Sequence, residues 1–358
     1  MTLQEISRIR LASQQISSTV CRTPNELLSL ICAIQAQDYP MASWAVGVRI
    51  PGISAEDVKN SLDKGEILRT HLLRPTWHLV TADNIRWMLH LTAPRIRASL
   101  QPRNKVLGLS GPVVSKSIRI ISAALAEGEH LTREELAARL EKEKIFTGNN
   151  RLSHLLLEAE LEGIVCSGAA KKKIPAYALL EKRVKREKTL SRDESLSRLA
   201  RGYFYSRFPA TLQDFAWWSG LTMTDARNAL EMISPEFHSE SLESGTFLIP
   251  KSADTIRAND ASACLLPAFD EFILSYRTRN VAIPSQVRSR AVSDNGIFRP
   301  TIIVDGQVAG LWKRTVKKDK VIIETELFRP VTGQEKKMIR RATLSYGKFL
   351  GKETEIHI

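Results

Sequence analysis

The stretch Leu131–Leu180, LTREELAARLEKEKIFTGNNRLSHLLLEAELEGIVCSGAAKKKIPAYALL, carries the clearest local signals in this chain of 358 residues. Thr132, with an acidic first turn that reaches Glu135, is typical of a helix N-terminus, and a turn cluster follows that helix. A second, leucine-rich helix is predicted to end before Gly163. Two short apolar strands then flank a loop that contains Lys171–Lys173. The predicted order is helix, turn, helix, strand, basic loop, strand.

The same order of elements is predicted once before and once after this stretch. The segment Ile67–Val80, broken by Pro75, supplies the strands of the first copy, and residues 237–249 supply those of the third. A helix-turn-helix with an attached hairpin is the pattern of a winged helix. Beyond residue 260 the apolar period changes to two, so that residues 263–276 and later segments are predicted to be strands.

The predicted fold class is α+β, with tandem winged-helix motifs (helix-turn-helix plus β-wing) and a C-terminal β-barrel-like unit. A final helix, Gln334–Phe349, is predicted to cap that unit. The predicted domains are a first winged-helix unit with the two glutamines discussed below (1–110), a second with a basic wing (111–190), a third (191–259) and the β-barrel-like unit (260–358).

The composition of the chain points to a polyanionic partner. The net charge is +13 and the pI is about 9.7, from 52 Lys and Arg residues against 39 Asp and Glu residues. Nucleic acid is the expected polyanion, because no long amphipathic basic helix or lipidation signal indicates a membrane surface. The sequence has no apolar run of about 18 residues and no cleavable signal. We therefore expect duplex DNA as the partner, no membrane partner, and a cytoplasmic, nucleoid-associated protein.

The cysteines, histidines and glycines do not form the usual cofactor motifs. Cys21, Cys32, Cys166 and Cys264 are scattered with no C-x-x-C spacing, which excludes the common zinc and disulfide frameworks, and Cys32 is interpreted as a core residue. The histidines are dispersed as well, and the chain has no Walker A loop and no dinucleotide-binding glycine motif. The sequence predicts no metal site and no cofactor.

Two amides stand out in the first copy, in Gln35-Ala36-Gln37. Residues two apart in a helix differ by about 200° in direction, so these side chains could share a site only if the helix ends near Gln35 and the backbone becomes extended. The following Asp38-Tyr39-Pro40 suggests such an ending. The alternative is that Gln37 caps the helix while Gln35 is buried and hydrogen-bonded. Asp38 could assist the glutamines or simply cap a helix.

Further candidates for DNA contact lie on the two predicted hairpins. Arg74 could contact phosphate, and Trp77 or His78 could line a pocket for a base; alternatively, Trp77 is a core residue and His78 pairs with a backbone group. Lys171, Lys172 and Lys173 at the second hairpin could contact phosphate. They begin a basic segment, 171–192, with nine Lys or Arg against two Glu, whose linker half is interpreted as a solvated face.

Several phrases of the sequence, in this order and spacing, resemble the winged-helix DNA-binding family that includes the bacterial interstrand-crosslink DNA glycosylases of the azinomycin-resistance type. These phrases are Leu30–Gln37, Arg74–Val80, Leu265–Glu271 with Tyr276-Arg277, and Val304–Arg314. The resemblance covers nearly the whole chain. It implies a C-shaped arrangement of three winged helices and a β-barrel, with DNA in the concave channel. It also implies a catalytic Gln-x-Gln motif, which Gln35 and Gln37 match.

The expected reaction is hydrolysis of the N-glycosidic bond of alkylated, N7-modified purines or of interstrand crosslinks. An N7-alkylated purine is already cationic, so it needs only a positioned water and stabilisation of developing charge. Two amides can supply hydrogen bonds for both tasks, but they cannot act as strong bases.

Other interpretations of the sequence stay open. The chain could be a non-catalytic winged-helix protein, either a regulator or an architectural factor, or its winged helices could bind protein partners. Asp270 and Glu271 are interpreted as structural, orienting Arg277 or Arg279. The expected oligomeric state is a monomer.

Overall fold

A computed structural model describes residues 1–128, 130–186, 188–242, 245–253 and 262–357 of the chain. Its contacts divide the chain into two compact units. The first unit combines Met1–Lys59 with Leu196–Ile358, and the second is Asn60–Ser195. The division into four domains remains a prediction, and its boundary at residues 259–260 lies outside the described residues.

The described residues form a mixture of α-helices and β-strands. The α-helices are α1 (Leu3–Ser13), α2 (Pro24–Ile31), α3 (Tyr39–Gly47), α4 (Ala55–Lys64), α5 (Ala82–Val106), α6 (Gly111–Glu127), α7 (Arg133–Lys142), α8 (Arg151–Leu161), α9 (Leu180–Arg183), α10 (Arg192–Ser206), α11 (Leu212–Ser219), α12 (Met223–Ile233), α13 (Glu271–Leu274), α14 (Arg288–Ala291) and α15 (Gly333–Leu350). The strands are β1 (Ala33–Gln35), β2 (Ile67–Leu72), β3 (Thr76–Thr81), β4 (Leu131–Thr132), β5 (Val165–Lys171), β6 (Ile174–Leu179), β7 (Phe237–Leu242), β8 (Gly245–Pro250), β9 (Ala263–Leu266), β10 (Thr301–Val304), β11 (Gln307–Val316), β12 (Lys320–Leu327) and β13 (Glu353–His357). Short 3₁₀ turns occupy Ser234–Glu236, Lys251–Ala253 and Ser285–Val287.

The second unit contains the stretch with the clearest sequence signals. A reciprocal capping box between Thr132 and Glu135 starts α7, as the sequence predicts. Leucines from α7 and α8, among them Leu136, Leu140 and Leu155, pack with α6 and the hairpin β5–β6 in one buried cluster. The predicted order of helices and strands in this stretch is confirmed, and β4 adds a third strand beside β6.

The first hairpin of this unit is also confirmed, with β2 and β3 joined across a turn that contains Pro75. Helix α5 then follows β3 directly and runs for 25 residues, with Pro94 and Pro102 inside it. The two hairpins of the unit are joined by a hydrogen bond from the Arg69 amide to the Ser167 hydroxyl, 2.8 Å long. Strands β2 and β5 therefore lie side by side.

The first unit is built on a five-stranded sheet that curls into a half-barrel, in the order β13-β12-β11-β10-β9. Its pairs are antiparallel except for β12 and β13, which are parallel. Helix α15 packs on this sheet through Tyr346, whose ring lies 5.0 Å from the rings of both Trp44 and Trp312. The predicted β-rich end of the chain with a terminal helix is thus present, although β13 follows that helix.

One strand prediction in this unit is wrong. Residues 263–276 were expected to be extended throughout, but β9 ends at Leu266 and a helical turn, α13, begins at Glu271. The physical reason is local. Pro267 cannot donate to a sheet ladder, and the Asp270 carboxylate accepts the Phe272 amide at 2.9 Å, which caps the helical turn.

None of the helices in the described part of the chain is long and apolar enough to cross a membrane.

A Gly310→Ala variant is expected to lose about 1–3 kcal/mol of unfolding free energy. A Cβ at this position would lie 2.5 Å from the backbone oxygen of Glu326, so β11 and β12 would have to shift apart. Gly333→Ala is the control, because its Cβ would meet no described atom within 4 Å. Urea unfolding followed by circular dichroism measures both. Equal stability losses would contradict the close approach of these strands.

The cysteine thiols are expected to be inert in the folded protein. Burial raises the pKa of Cys21, Cys32 and Cys264, and raises that of Cys166 to about 12. Because a thiol with such a pKa ionises only far above neutrality, about one Cys166 in 10⁴ is a thiolate at pH 8. Ellman's reagent at pH 8 should therefore react slowly with the native protein and rapidly in urea. Fast labelling of the native protein would contradict this packing.

Candidate active site

The two glutamines lie outside the helices, Gln35 in a strand and Gln37 at a bend. Helix α2 begins at Pro24, after the Thr23 hydroxyl cap, and ends at Ile31. Gln35 is the last residue of β1, and Gln37 follows at a bend before α3. The opposed mid-helix placement that would separate the two amides is therefore absent. Gln35 is 5% exposed, whereas Gln37 is exposed.

The chain leaves α2 through a strained residue. Cys32 has φ 63° and ψ −56°, a conformation close to the classic γ-turn that L-residues rarely adopt. Such a residue costs on the order of 1–3 kcal/mol and persists only where its surroundings enforce it. Its side chain is buried, as the sequence predicts, with Sγ 2.0 Å from where a Cβ on Gly202 would lie. Only glycine leaves room for Cys32 at this position.

An arginine from the end of α10 holds both sides of this turn. The Arg207 guanidinium donates to the Ile31 carbonyl at 2.9 Å and to the Ala33 carbonyl at 3.0 Å, which are the groups on either side of Cys32. The Arg207 side chain is 1% exposed. These two hydrogen bonds fix the point where the helix becomes a strand.

The Glu271 carboxylate connects this arginine to the glutamine strand. One oxygen, Oε1, accepts a hydrogen bond from the backbone N–H of Gln35 at 2.8 Å. The other, Oε2, accepts Arg207 Nη2 at 3.0 Å, the Trp218 indole at 2.8 Å and the Ser275 hydroxyl. The carboxylate is 1% exposed, so its charge is balanced inside the protein by the guanidinium and these donors.

A second buried ion pair lies beside the first. Asp270 accepts two hydrogen bonds from Arg49, at 2.8 and 2.9 Å, and both side chains are at most 1% exposed. The structural role predicted for Asp270 and Glu271 agrees with this geometry. Their partners here are Arg49 and Arg207, neither of which the sequence analysis singled out when it favoured Arg277 or Arg279.

Helix capping next to the glutamines differs from the alternative proposed for them. Asp38 caps the start of α3, because its carboxylate accepts the Met41 amide at 3.1 Å. Cys32, and not Gln37, is the C-terminal cap of α2.

Burial raises the pKa of the nearby Tyr346 to about 12, with the Asp38 charge as a further cause. The tyrosine therefore stays protonated at neutral pH.

The residues of the first hairpin all lie in the second unit. Trp77 is half-buried against the core of that unit, with its ring 3.9 Å from the His71 ring and the Arg69 guanidinium 4.0 Å from its centre. His78 is fully buried, and its Nδ1 lies 2.9 Å from the Thr76 carbonyl oxygen. Both placements match the structural alternative. Arg74 lies half-buried in the turn between the strands.

The three lysines lie at the turn of the second hairpin. Lys172 and Lys173 have φ of 49° and 72°, the left-handed conformation of a tight two-residue hairpin turn, and both are exposed. Lys171 is paired with Glu135 at 2.6 Å, and this hydrogen bond lowers the pKa of the Glu135 carboxyl. Lys172 and Lys173 therefore present their charge to solvent more openly than Lys171.

Groups of three or more His, Cys, Asp or Glu side chains that could hold a metal ion are not found among the described residues. The polar chemistry around the glutamines consists of amides, a buried carboxylate and a guanidinium. Such groups can orient a water molecule and stabilise charge.

Sequence reasoning missed Arg207 and the strained turn at Cys32. Glu271 lies within the phrase Leu265–Glu271 that carried the family resemblance, so the sequence did point to this residue. Arg207 had none, because an arginine near a helix end is common and its partners are far away in the sequence.

Comparisons with known proteins agree on one family. A family model described as DNA glycosylase AlkZ-like matches residues 28–349. An interstrand DNA cross-link repair glycosylase from Streptomyces sahachiroi is 24% identical over an alignment of 321 residues, which covers 85% of this chain and 85% of that protein. The solved structure of Streptomyces sahachiroi DNA glycosylase AlkZ has a TM-score of 0.79 at 17% identity, covers 99% of both chains and shows a similar fold. Because the family model spans most of the sequence, this chain belongs to the AlkZ-like DNA glycosylase family.

Proposed function

We propose that this protein is a DNA glycosylase that hydrolyses the N-glycosidic bond of N7-alkylated purines, including purines linked in interstrand crosslinks. The observation that carries the proposal is the placement of Gln35 at the end of β1 and of Gln37 at the bend that follows, with the backbone N–H of Gln35 fixed by the buried Glu271 carboxylate. Because neither residue lies on a helix, the two side-chain amides are not held on opposite helix faces, and both can serve one water molecule.

The reaction requires little from the protein beyond orientation. The C1′–N9 bond breaks with its electron pair going to the purine, which leaves as a neutral alkylated base. The oxygen of water then bonds to C1′ and releases a proton. A glutamine carbonyl can accept a hydrogen bond from this water, and an amide NH₂ can donate to phosphate or base. An undamaged purine would need a strong acid, which two amides do not provide.

The proposal extends to how the protein holds DNA. We interpret the three helix-helix-hairpin copies as winged helices that grip the duplex, with Lys172, Lys173 and Arg74 at phosphates and Lys171 as a weaker contributor because Glu135 pairs with it. Trp77 and His78 support the first hairpin from inside and do not contact a base. The net charge of +13 supports binding to a polyanion, and the expected form is a monomer.

The double variant Gln35→Ala/Gln37→Ala is expected to lower the single-turnover rate of base release by about 10²-fold or more, because hydrogen bonds to the water and to developing charge are lost. The assay uses duplex DNA with one N7-methylguanine, and a second duplex with an N7-linked crosslink. Gln334→Ala, at an exposed glutamine on α15, is the control and should keep the wild-type rate. Intact DNA binding without release by the wild type would favour the non-catalytic alternative.

Removing the charges of Lys172 and Lys173 at the turn between β5 and β6 is expected to reduce the dependence of DNA affinity on salt concentration. Each phosphate contact contributes about 0.9 to the slope of log K against log[salt], so Lys172→Gln/Lys173→Gln should reduce the slope by up to about 1.8. The control, Lys185→Gln/Lys188→Gln, removes the same charge from the exposed basic linker. Fluorescence anisotropy with an undamaged duplex at several salt concentrations gives both slopes. The same change in both variants would show that only net charge matters.

A further inference from the structure

We infer that Glu271 and Arg207 are positioning residues for the glutamine pair, so that the buried ion pair sets the reactivity of the site as well as its stability. This inference rests on the proposed function. It concerns residues that act through the backbone of β1 and not by contact with DNA.

The two oxygens of the Glu271 carboxylate have different partners. Oε1 accepts a hydrogen bond from the backbone N–H of Gln35 at 2.8 Å. Oε2 accepts hydrogen bonds from the guanidinium of Arg207 and the indole N–H of Trp218. A rotation or shift that loosens the hold on Gln35 would also break hydrogen bonds to α11 and to the end of α10. The position of β1 is therefore fixed relative to the core of the first unit.

Arg207 fixes the same strand from its other end. Its hydrogen bonds to the carbonyls of Ile31 and Ala33 hold Cys32 in its strained conformation. If this turn relaxed and α2 continued, successive side chains would rotate by about 100° per residue, and Gln35 and Gln37 would point in opposite directions. The hydrogen bonds around Cys32 thus keep the two side-chain amides off a helix, where they would lie on opposite faces.

The adjacent ion pair provides a matched comparison for a purely stabilising role. Arg49 and Asp270 are as deeply buried as Arg207 and Glu271, and Asp270 is the immediate neighbour of Glu271. The hydrogen bonds of Arg49 go to Asp270, Gln14 and the Ala45 carbonyl, which lie outside residues 31–37. Loss of either carboxylate charge leaves one buried arginine without its counter-charge.

The experiment compares Glu271→Gln with Asp270→Asn, each at a temperature where it is fully folded by circular dichroism. With duplex DNA that contains N7-methylguanine, Glu271→Gln should lower the single-turnover rate between about 10- and 100-fold and leave DNA affinity unchanged, because a misplaced group costs rate and not binding. Asp270→Asn should keep the wild-type rate, because the asparagine oxygen can still accept the Phe272 amide that caps the turn at Glu271. Equal rate losses in the two folded variants would overturn the inference.

A milder pair covers the case in which Glu271→Gln does not fold. Trp218→Phe removes one indole donor to Glu271, and Trp312→Phe removes an equivalent indole donor to the Leu266 carbonyl; both indoles are buried. Trp218→Phe should lower the rate severalfold and Trp312→Phe should not. Equal effects here would also overturn the inference.

Hydrogen exchange separates this inference from the proposed function. The backbone N–H of Gln35 should exchange slowly in the wild type and in Asp270→Asn. It should exchange at least tenfold faster in Glu271→Gln, whether or not the protein releases a base. Faster exchange without any wild-type activity would leave the positioning of β1 supported while the proposed function fails. Unchanged exchange at Gln35 in Glu271→Gln would overturn the positioning itself.

Discussion

The ion pair between Arg207 and Glu271 is the interaction on which the arrangement of the candidate site depends. It lies at most 1% exposed, where neither charge could remain without the other. Its guanidinium ends α2 at Ile31 by holding the carbonyls around Cys32, and its carboxylate holds the Gln35 amide. One pair thus ends α2 and holds the short strand that carries Gln35 at a fixed position in the first unit.

Burying so much charge is expensive unless each donor and acceptor is matched. In the first unit the buried charges form ion pairs. Arg49 makes a bidentate pair with Asp270, and Arg10 Nη2 lies 3.7 Å from Asp214 Oδ2. These pairs use arginine, whose planar group can satisfy several carbonyl and carboxylate oxygens at once. The result is a buried polar region in which these guanidinium and carboxylate groups have partners of opposite charge.

The second unit carries the features that suit binding to DNA. Two hairpins lie side by side, and the turn of one presents Lys172 and Lys173 in a left-handed conformation that lysine adopts at a cost. Both residues take this conformation because a two-residue hairpin turn requires a positive φ at each position. By contrast, Trp77 and His78 have neighbours inside the unit, which is the placement that the structural alternative for them predicts.

The sequence by itself determined the local elements and the family. Capping residues, leucine spacing and turn glycines predicted the helices and hairpins of Leu131–Leu180 correctly, because these signals act between residues close in the chain. It also singled out Gln35 and Gln37 and the neighbourhood of Glu271. The apolar alternation of residues 263–276 concealed the local Asp270 cap that starts the helical turn 271–274. The sequence also did not reveal that Arg207 ends α2 or that Glu271 holds Gln35, because these partners lie about 180 and 240 residues apart and only folding brings them together. Tertiary structure alone decided that Gln35 is buried and Gln37 exposed, since burial depends on what packs against a strand and not on the strand's own residues.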